Sequence, residues 1–204
     1  MKIAIIDNYD SFTFNLVQII SESHLCGYEV IQNDMEDISL LAGFDKILLS
    51  PGPGLPSDSG RLQEVIDVFS RDKPILGICL GHQAIVQAFG GRLKQLKQIF
   101  HGVATTVRIL DGNDYLFQGI GSKIQAARYH SWVVDRISLP GQFSITAEDE
   151  EGNIMAIKHK RLNLRGLQFH PESFLTEFGK EIMMNWIRRT DRSRPVRTSR
   201  TDYP

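Results

Sequence analysis

The chain is short of several things, and each shortage excludes something. It has two cysteines, Cys26 and Cys79, in 204 residues, so no disulfide framework can staple it and at least one thiol is expected to be free. No apolar run approaches the roughly 20 residues of a membrane span, and the opening MKIAIID meets Asp7 and Asp10 too early for the core of a signal peptide. Net charge is nearly absent, with 23 Lys and Arg against 24 Asp and Glu, so there is no strong field to draw duplex nucleic acid or an anionic membrane. A cytoplasmic protein with neither as its main partner is expected. The apolar share, 42%, is ample for one domain with a full core.

Strand-like and helix-like stretches alternate in the first half: 2–7, 11–24, 28–33, 45–50, 61–70, 74–79 and 81–89. That rhythm predicts an α/β fold with an open, mostly parallel sheet flanked by helices. In the helix at 61–70, Leu62, Val65, Ile66 and Phe69 fall at i, i+3, i+4 and i+7. From about Gly91 the strands predicted at 103–110, 143–147, 154–159 and 164–169 extend the same sheet in mixed fashion. A closing helix is expected over 174–189, with Leu175, Phe178, Ile182 and Trp186 on one stripe. Residues 1–189 are read as the domain, and 190–204, rich in Arg and nearly free of apolar residues, as a flexible tail.

The second cysteine stands out. GICLGHQ, residues 77–83, follows an apolar strand and opens a helix, the layout of the Gly-x-Ser-x-Gly nucleophile elbow. Glycines two positions either side of the central residue let strand and helix approach while that residue takes strained backbone angles. A helix N-terminus also favours the thiolate. A free cysteine is commonly just a small core residue, but a core residue needs no flanking glycines.

A thiol nucleophile needs a base, and the base an orienting group. The histidines are His24, His82, His101, His130, His159 and His170. His82 is expected to point away from the thiol over the turn. His170 ends a predicted strand and precedes Pro171, which keeps it extended, and Glu172 can reach back to its ring. Alone, His-Pro-Glu is an ordinary turn. Acyl chemistry also needs donors for an oxyanion. Leu80 N–H, just after the thiol, is one candidate. SPGPGLP, residues 50–56, is another source, because the strand before it would end on the same carboxyl edge. It lacks the Gly-Lys-Ser/Thr ending of a phosphate loop.

GICLGHQ, SPGPGLP and FHPES, in their order along the chain, resemble the class I glutamine amidotransferases, and the resemblance runs from Lys2 to about Ile187. It implies a flavodoxin-like domain that hydrolyses L-glutamine through Cys79, His170 and Glu172 and needs no metal or organic cofactor. Gly52 and Leu80 would supply oxyanion N–H groups. Gly52, Pro53, Gly54, Gln83, Ser131 and Trp132 would form the substrate pocket, Ser131 and Trp132 through their backbone. Trp132 departs from the leucine or tyrosine common there. His101-Gly102 matches an element near the family's subunit interface. DNYDSFTFN, residues 7–15, resembles the opening of the small subunits of anthranilate and aminodeoxychorismate synthases. That implies a chorismate-binding large subunit, component I, as partner, receiving ammonia and stimulating hydrolysis. Two other readings share parts of this pattern: a freestanding γ-glutamyl cysteine hydrolase, and a non-catalytic flavodoxin-like binding module.

Overall fold

The computed structural model describes residues 1–189; the predicted tail at 190–204 lies outside the described residues. Strands β1 (Lys2–Asp7), β2 (Gly27–Gln32), β3 (Lys46–Leu49), β4 (Ile75–Ile78) and β11 (Leu164–Leu167) are parallel, in the order β2-β1-β3-β4-β11. Antiparallel strands β10 (Ile154–His159), β9 (Phe143–Asp149), β6 (Val103–Ile109) and β7 (Lys123–Arg128) extend the sheet beyond β11. Two short strands, β5 (Leu93–Gln95) and β8 (Trp132–Val134), pair separately. The mixed, mostly parallel α/β architecture is the one the alternating pattern predicts.

Helices α1 (Thr13–Ser23) and α4 (Gly179–Arg188) cover one face, and α2 (Leu62–Phe69) and α3 (Leu80–Ala88) the other. Strand period sorts the core between them. Ile3 and Ile5 pack with Leu16, Ile20, Ile182 and Trp186. Ala4 and Ile6 pack with Leu62, Val65, Ile66, Ala84 and Ile85. Because both faces are covered, β3 and β4 read as continuous buried runs, KILL and ILGI. The buried lysine that opens β3 has a use there: Lys46 Nζ donates to the carbonyls of Trp186 and Ile187, at 2.9 Å for the latter. It thus satisfies acceptors at the end of α4.

After β1 the chain goes to β2 on one side and then crosses to β3 on the other. Such a reversal opens a crevice at the carboxyl edge, and residues 8, 50–52, 79 and 170 follow the strands that end there.

The last helix begins at Gly179, not near residue 174 as its stripe suggests. Residues 176–177 are engaged along the edge of β7: Ala127 N–H donates to Thr176 Oγ1 (3.0 Å), and Glu177 N–H to the Gln125 carbonyl (2.9 Å). Phe178 then takes a left-handed φ of 58°, and Gly179 lies so close to Pro171 that a Cβ would sit 1.9 Å from its carbonyl oxygen. Ile182 and Trp186 are buried as expected, but Phe178 is exposed. β5, β7 and β8 were not anticipated either. In β7, Ile124 and Ala126 alternate toward the core, yet KIQAAR is too polar to stand out as a strand.

Gly77 and Gly81 set how closely α3 approaches the sheet. A Cβ at Gly77 would lie 2.4 Å from the Gly81 carbonyl, and one at Gly81 would lie 2.6 Å from the Leu49 carbonyl oxygen. Gly77→Ala should therefore cost about 1–3 kcal/mol in urea unfolding, whereas Gly43→Ala, which meets nothing within 4 Å, should stay within about 0.5 kcal/mol of the parent. Equal midpoints for the two variants would contradict this packing account.

Candidate active site

Cys79 joins β4 to α3 with φ 50° and ψ −98°, a conformation that costs a non-glycine residue about 1–3 kcal/mol unless its surroundings enforce it. They do so from both sides. Its N–H donates to the Leu167 carbonyl of β11 (2.7 Å), and its carbonyl accepts from Gln83 N–H (3.0 Å) as the first link of α3. The two glycines remove the side chains that would push the helix away. The thiol is buried.

His170 lies just past β11, fastened by its N–H to the Ala127 carbonyl (3.0 Å) and by Thr176 Oγ1 donating to its own carbonyl (2.6 Å). Its Nδ1 is 2.6 Å from Glu172 Oε1, with both side chains buried. The rings of Tyr129 and Phe12 meet the imidazole at 4.9 and 5.3 Å. Burial alone would lower the His170 pKa, but the Cys79 thiol and then Glu172 outweigh it and raise the pKa to about 10. Nε2 has no hydrogen bond within the described residues, so the thiol's influence acts short of a full bond. His82, by contrast, packs on Gly166 of β11, and burial drives its pKa down to about 3.

Beside the thiol, Asn8 organises the Pro/Gly loop. Its Nδ2 donates to the Ser50 carbonyl (2.8 Å) and its N–H to Ser50 Oγ (2.9 Å), while Asn33 Nδ2 donates to Asn8 Oδ1 (3.0 Å). Gly52 is wedged in: a Cβ there would lie 2.5 Å from Leu80 Cδ2 and 2.6 Å from Asn8 Cβ. Gly52 and Leu80, the two expected oxyanion donors, are therefore neighbours.

Gly52, Pro53, Gly54, Cys79, Leu80, Gln83, Ser131 and Trp132 line one cleft of about 150 Å³, together with Tyr129 and His130. Drug-sized ligands occupy roughly 300–1,000 Å³, so this cleft suits something of amino-acid size. A larger hollow of about 600 Å³ lies at the amino edge of the sheet, bordered by Met1, Asp45 and Lys73, and has no thiol or imidazole on its walls. It exceeds the cleft in size but lacks its chemistry.

One contributor has no mark in the motifs. Gln168 Nε2 lies 3.5 Å from Cys79 Sγ, and its Oε1 accepts from Gln83 Nε2 (3.1 Å). Gln83 Nε2 also donates to the Trp132 carbonyl (2.8 Å), so its Oε1 is the atom left to meet a substrate donor. A buried glutamine two residues before His170, at the end of an apolar strand, is the one signal that could have singled out Gln168. His101 stands exposed, edge-on to Tyr129 at 5.9 Å. Among the described residues no cluster of three or more His, Cys, Asp or Glu forms a metal-ligand set, and no helix is long and apolar enough to cross a membrane.

A thiol at a strand-to-helix elbow, a buried histidine–carboxylate pair and adjacent backbone donors, gathered at the carboxyl edge of a doubly wound sheet, form the constellation of a thiol-dependent acyl-transfer enzyme. Comparison with known proteins narrows the class. The model of the class I glutamine amidotransferase family matches residues 4–190, and the chain belongs to that family. It is 45% identical to anthranilate synthase component 2 of Pyropia yezoensis, over 91% of this chain and 98% of the relative. It is 43% identical to the aminodeoxychorismate/anthranilate synthase component 2 of Bacillus subtilis, over 91% and 95%. It is 42% identical to aminodeoxychorismate synthase component 2 of Escherichia coli, over 92% and 100%. Among solved structures, a candidate GMP synthase subunit from Thermoplasma acidophilum superposes with a TM-score of 0.81 at 30% identity, over 92% of both chains.

The raised His170 pKa has a consequence for stability. A base whose folded pKa exceeds its unfolded value, about 6.5, stabilises fully below that value and loses the contribution as pH rises toward about 10. Glu172→Gln removes one of the two raising partners. The stability gap between wild type and Glu172→Gln should therefore be widest near pH 6.5 and narrow steadily toward pH 10 in thermal unfolding. A gap that widens over that window would contradict the assignment.

Proposed function

We propose that this glutamine amidotransferase is the glutaminase subunit of a chorismate-using synthase, with Cys79 as nucleophile, His170 as acid and base and Glu172 as its orienter. The observation that carries the reading is the buried His170–Glu172 pair at 2.6 Å, beside a thiol held at φ 50° in a cleft sized for one amino acid. The thiolate adds to the glutamine carboxamide carbon and forms a tetrahedral oxyanion that accepts hydrogen bonds from Gly52 and Leu80 N–H. The C–N bond breaks as His170 gives its proton to the leaving nitrogen, so ammonia departs and a γ-glutamyl thioester remains. His170 then takes a proton from water, whose oxygen displaces the sulfur, releasing glutamate and restoring the thiolate beside a protonated His170. Losing one oxyanion donor would cost about 10²–10³ in rate. No step calls on a metal or an organic cofactor.

The names of the relatives, component 2 of anthranilate synthase and of aminodeoxychorismate synthase, support a component I partner that consumes the ammonia. The cleft has room for glutamine and not for chorismate as well, so the choice between anthranilate and aminodeoxychorismate falls to that partner. Coupling implies low glutaminase activity in the isolated chain and stimulation by component I. A freestanding hydrolase would need no partner, and an inert binding module would not react with a glutamine-like electrophile.

Cys79→Ala should lower glutamine hydrolysis by at least about 10³-fold. Its complex with component I should still make product from added ammonium salt. Retained hydrolysis would end the nucleophile assignment. Full activity of the isolated wild-type chain, unaltered by component I, would end the coupling.

A further inference from the structure

One wall of the cleft is the stretch 129–132, and its backbone is held at three successive carbonyls. Phe100 N–H donates to His130 (3.2 Å), Leu96 N–H to Ser131 (2.7 Å), and Gln83 Nε2 to Trp132 (2.8 Å). The side chain of His130 is buried in this wall, and the mechanism above gives it no task.

Its surroundings define its protonation. His130 Nε2 accepts from Arg128 Nε (3.2 Å). Arg128 is itself buried, with Nη1 on Asp149 Oδ2 (2.8 Å) and its guanidinium over the Phe100 ring at 3.6 Å. Asp149 is anchored in turn by the N–H groups of Glu151 (3.0 Å) and Asn153 (2.7 Å). A guanidinium keeps its protons and accepts none, so Nε2 must present its lone pair. Burial first, and then the charges of Arg128 and His170, drive the His130 pKa down to about 3. The ring is therefore neutral at working pH, and a neutral imidazole with an accepting Nε2 carries its proton on Nδ1. That Nδ1 is buried with no hydrogen-bond partner among the described residues, in the wall that carries the Ser131–Trp132 backbone.

We propose that Arg128 is a positioning residue: it locks His130 in the Nδ1–H tautomer, so that the cleft wall carries a fixed N–H donor beside the Ser131–Trp132 backbone that receives glutamine. A buried ion pair that merely joined β7 to β9 would need no histidine between it and the cleft. The last step rests on the glutaminase reading; the tautomer and its cause are properties of the free protein.

Two arms test this separately. Long-range ¹H–¹⁵N correlation on histidine-labelled protein should show His130 protonated at Nδ1 and bare at Nε2 at neutral pH; the opposite tautomer or an imidazolium overturns the lock, whatever the chain's activity. For function, Arg128→Met/Asp149→Asn removes the ion pair without stranding a buried charge. It should free the tautomer and raise the KM for glutamine about tenfold, the worth of one hydrogen bond, with kcat within about threefold of wild type. His130→Asn, which keeps a donor near the Nδ1 position, should preserve KM, and His130→Gln should resemble the double variant. Equal KM values for the Asn and Gln variants, or kcat falling in step with melting temperature, would reduce the group to a structural role and overturn the proposal. If wild type hydrolyses no glutamine, the functional reading fails while the correlation spectrum still decides the lock.

Discussion

The close approach of α3 to the sheet is the constraint from which the rest of the site follows. Gly77 and Gly81 leave no side chain between strand and helix, and the residue that joins β4 to α3 at that distance takes φ 50°. The strain stays because Cys79 is tied at its N–H to β11 and at its carbonyl to α3. Its thiol is thereby held at the N-terminus of α3. A side chain on either glycine would move the helix, the thiol and the adjacent Leu80 N–H together.

Around that point the two halves of the sheet contribute different chemistry. The parallel half brings Asn8, the loop at 50–54 and Cys79 to one edge. The antiparallel half brings the wall at 129–132 and, through the β7 edge, the anchors of His170 and residues 176–177. His170 belongs to both, since it follows the last parallel strand but hydrogen-bonds to Ala127 of β7. Its charge is maintained against burial by Cys79 and Glu172. The nearby His82 and His130, without such partners, are driven to about 3. Environment thus separates one imidazole that can donate a proton from two that stay neutral.

Much of this was legible in the chain. Continuous apolar runs and a 3.6-residue stripe in α2 were enough for the parallel core, and SPGPGLP and GICLGHQ hold one side of the cleft, from Gly52 to Gln83. What was hidden has a common physical origin: it depends on contacts between segments distant in sequence. The late start of α4 arises because β7 engages Thr176 and Glu177, which no local stripe reveals. Gln168 looks like one polar residue at a strand end until β4 brings Cys79 beside it. The Arg128–His130 contact is short-range, but its meaning comes from Asp149 and Phe100, which reach it only after the antiparallel strands pair.

The central claim is that the strained, buried thiol of Cys79 carries the glutamyl group. Rapid acid quench of the enzyme during turnover with isotopically labelled glutamine, followed by peptide mass spectrometry, tests it most directly. The account predicts a labelled γ-glutamyl thioester on the peptide that contains Cys79 and on no other. Turnover without any adduct on that peptide, or with label on the peptide that contains Cys26, would contradict it.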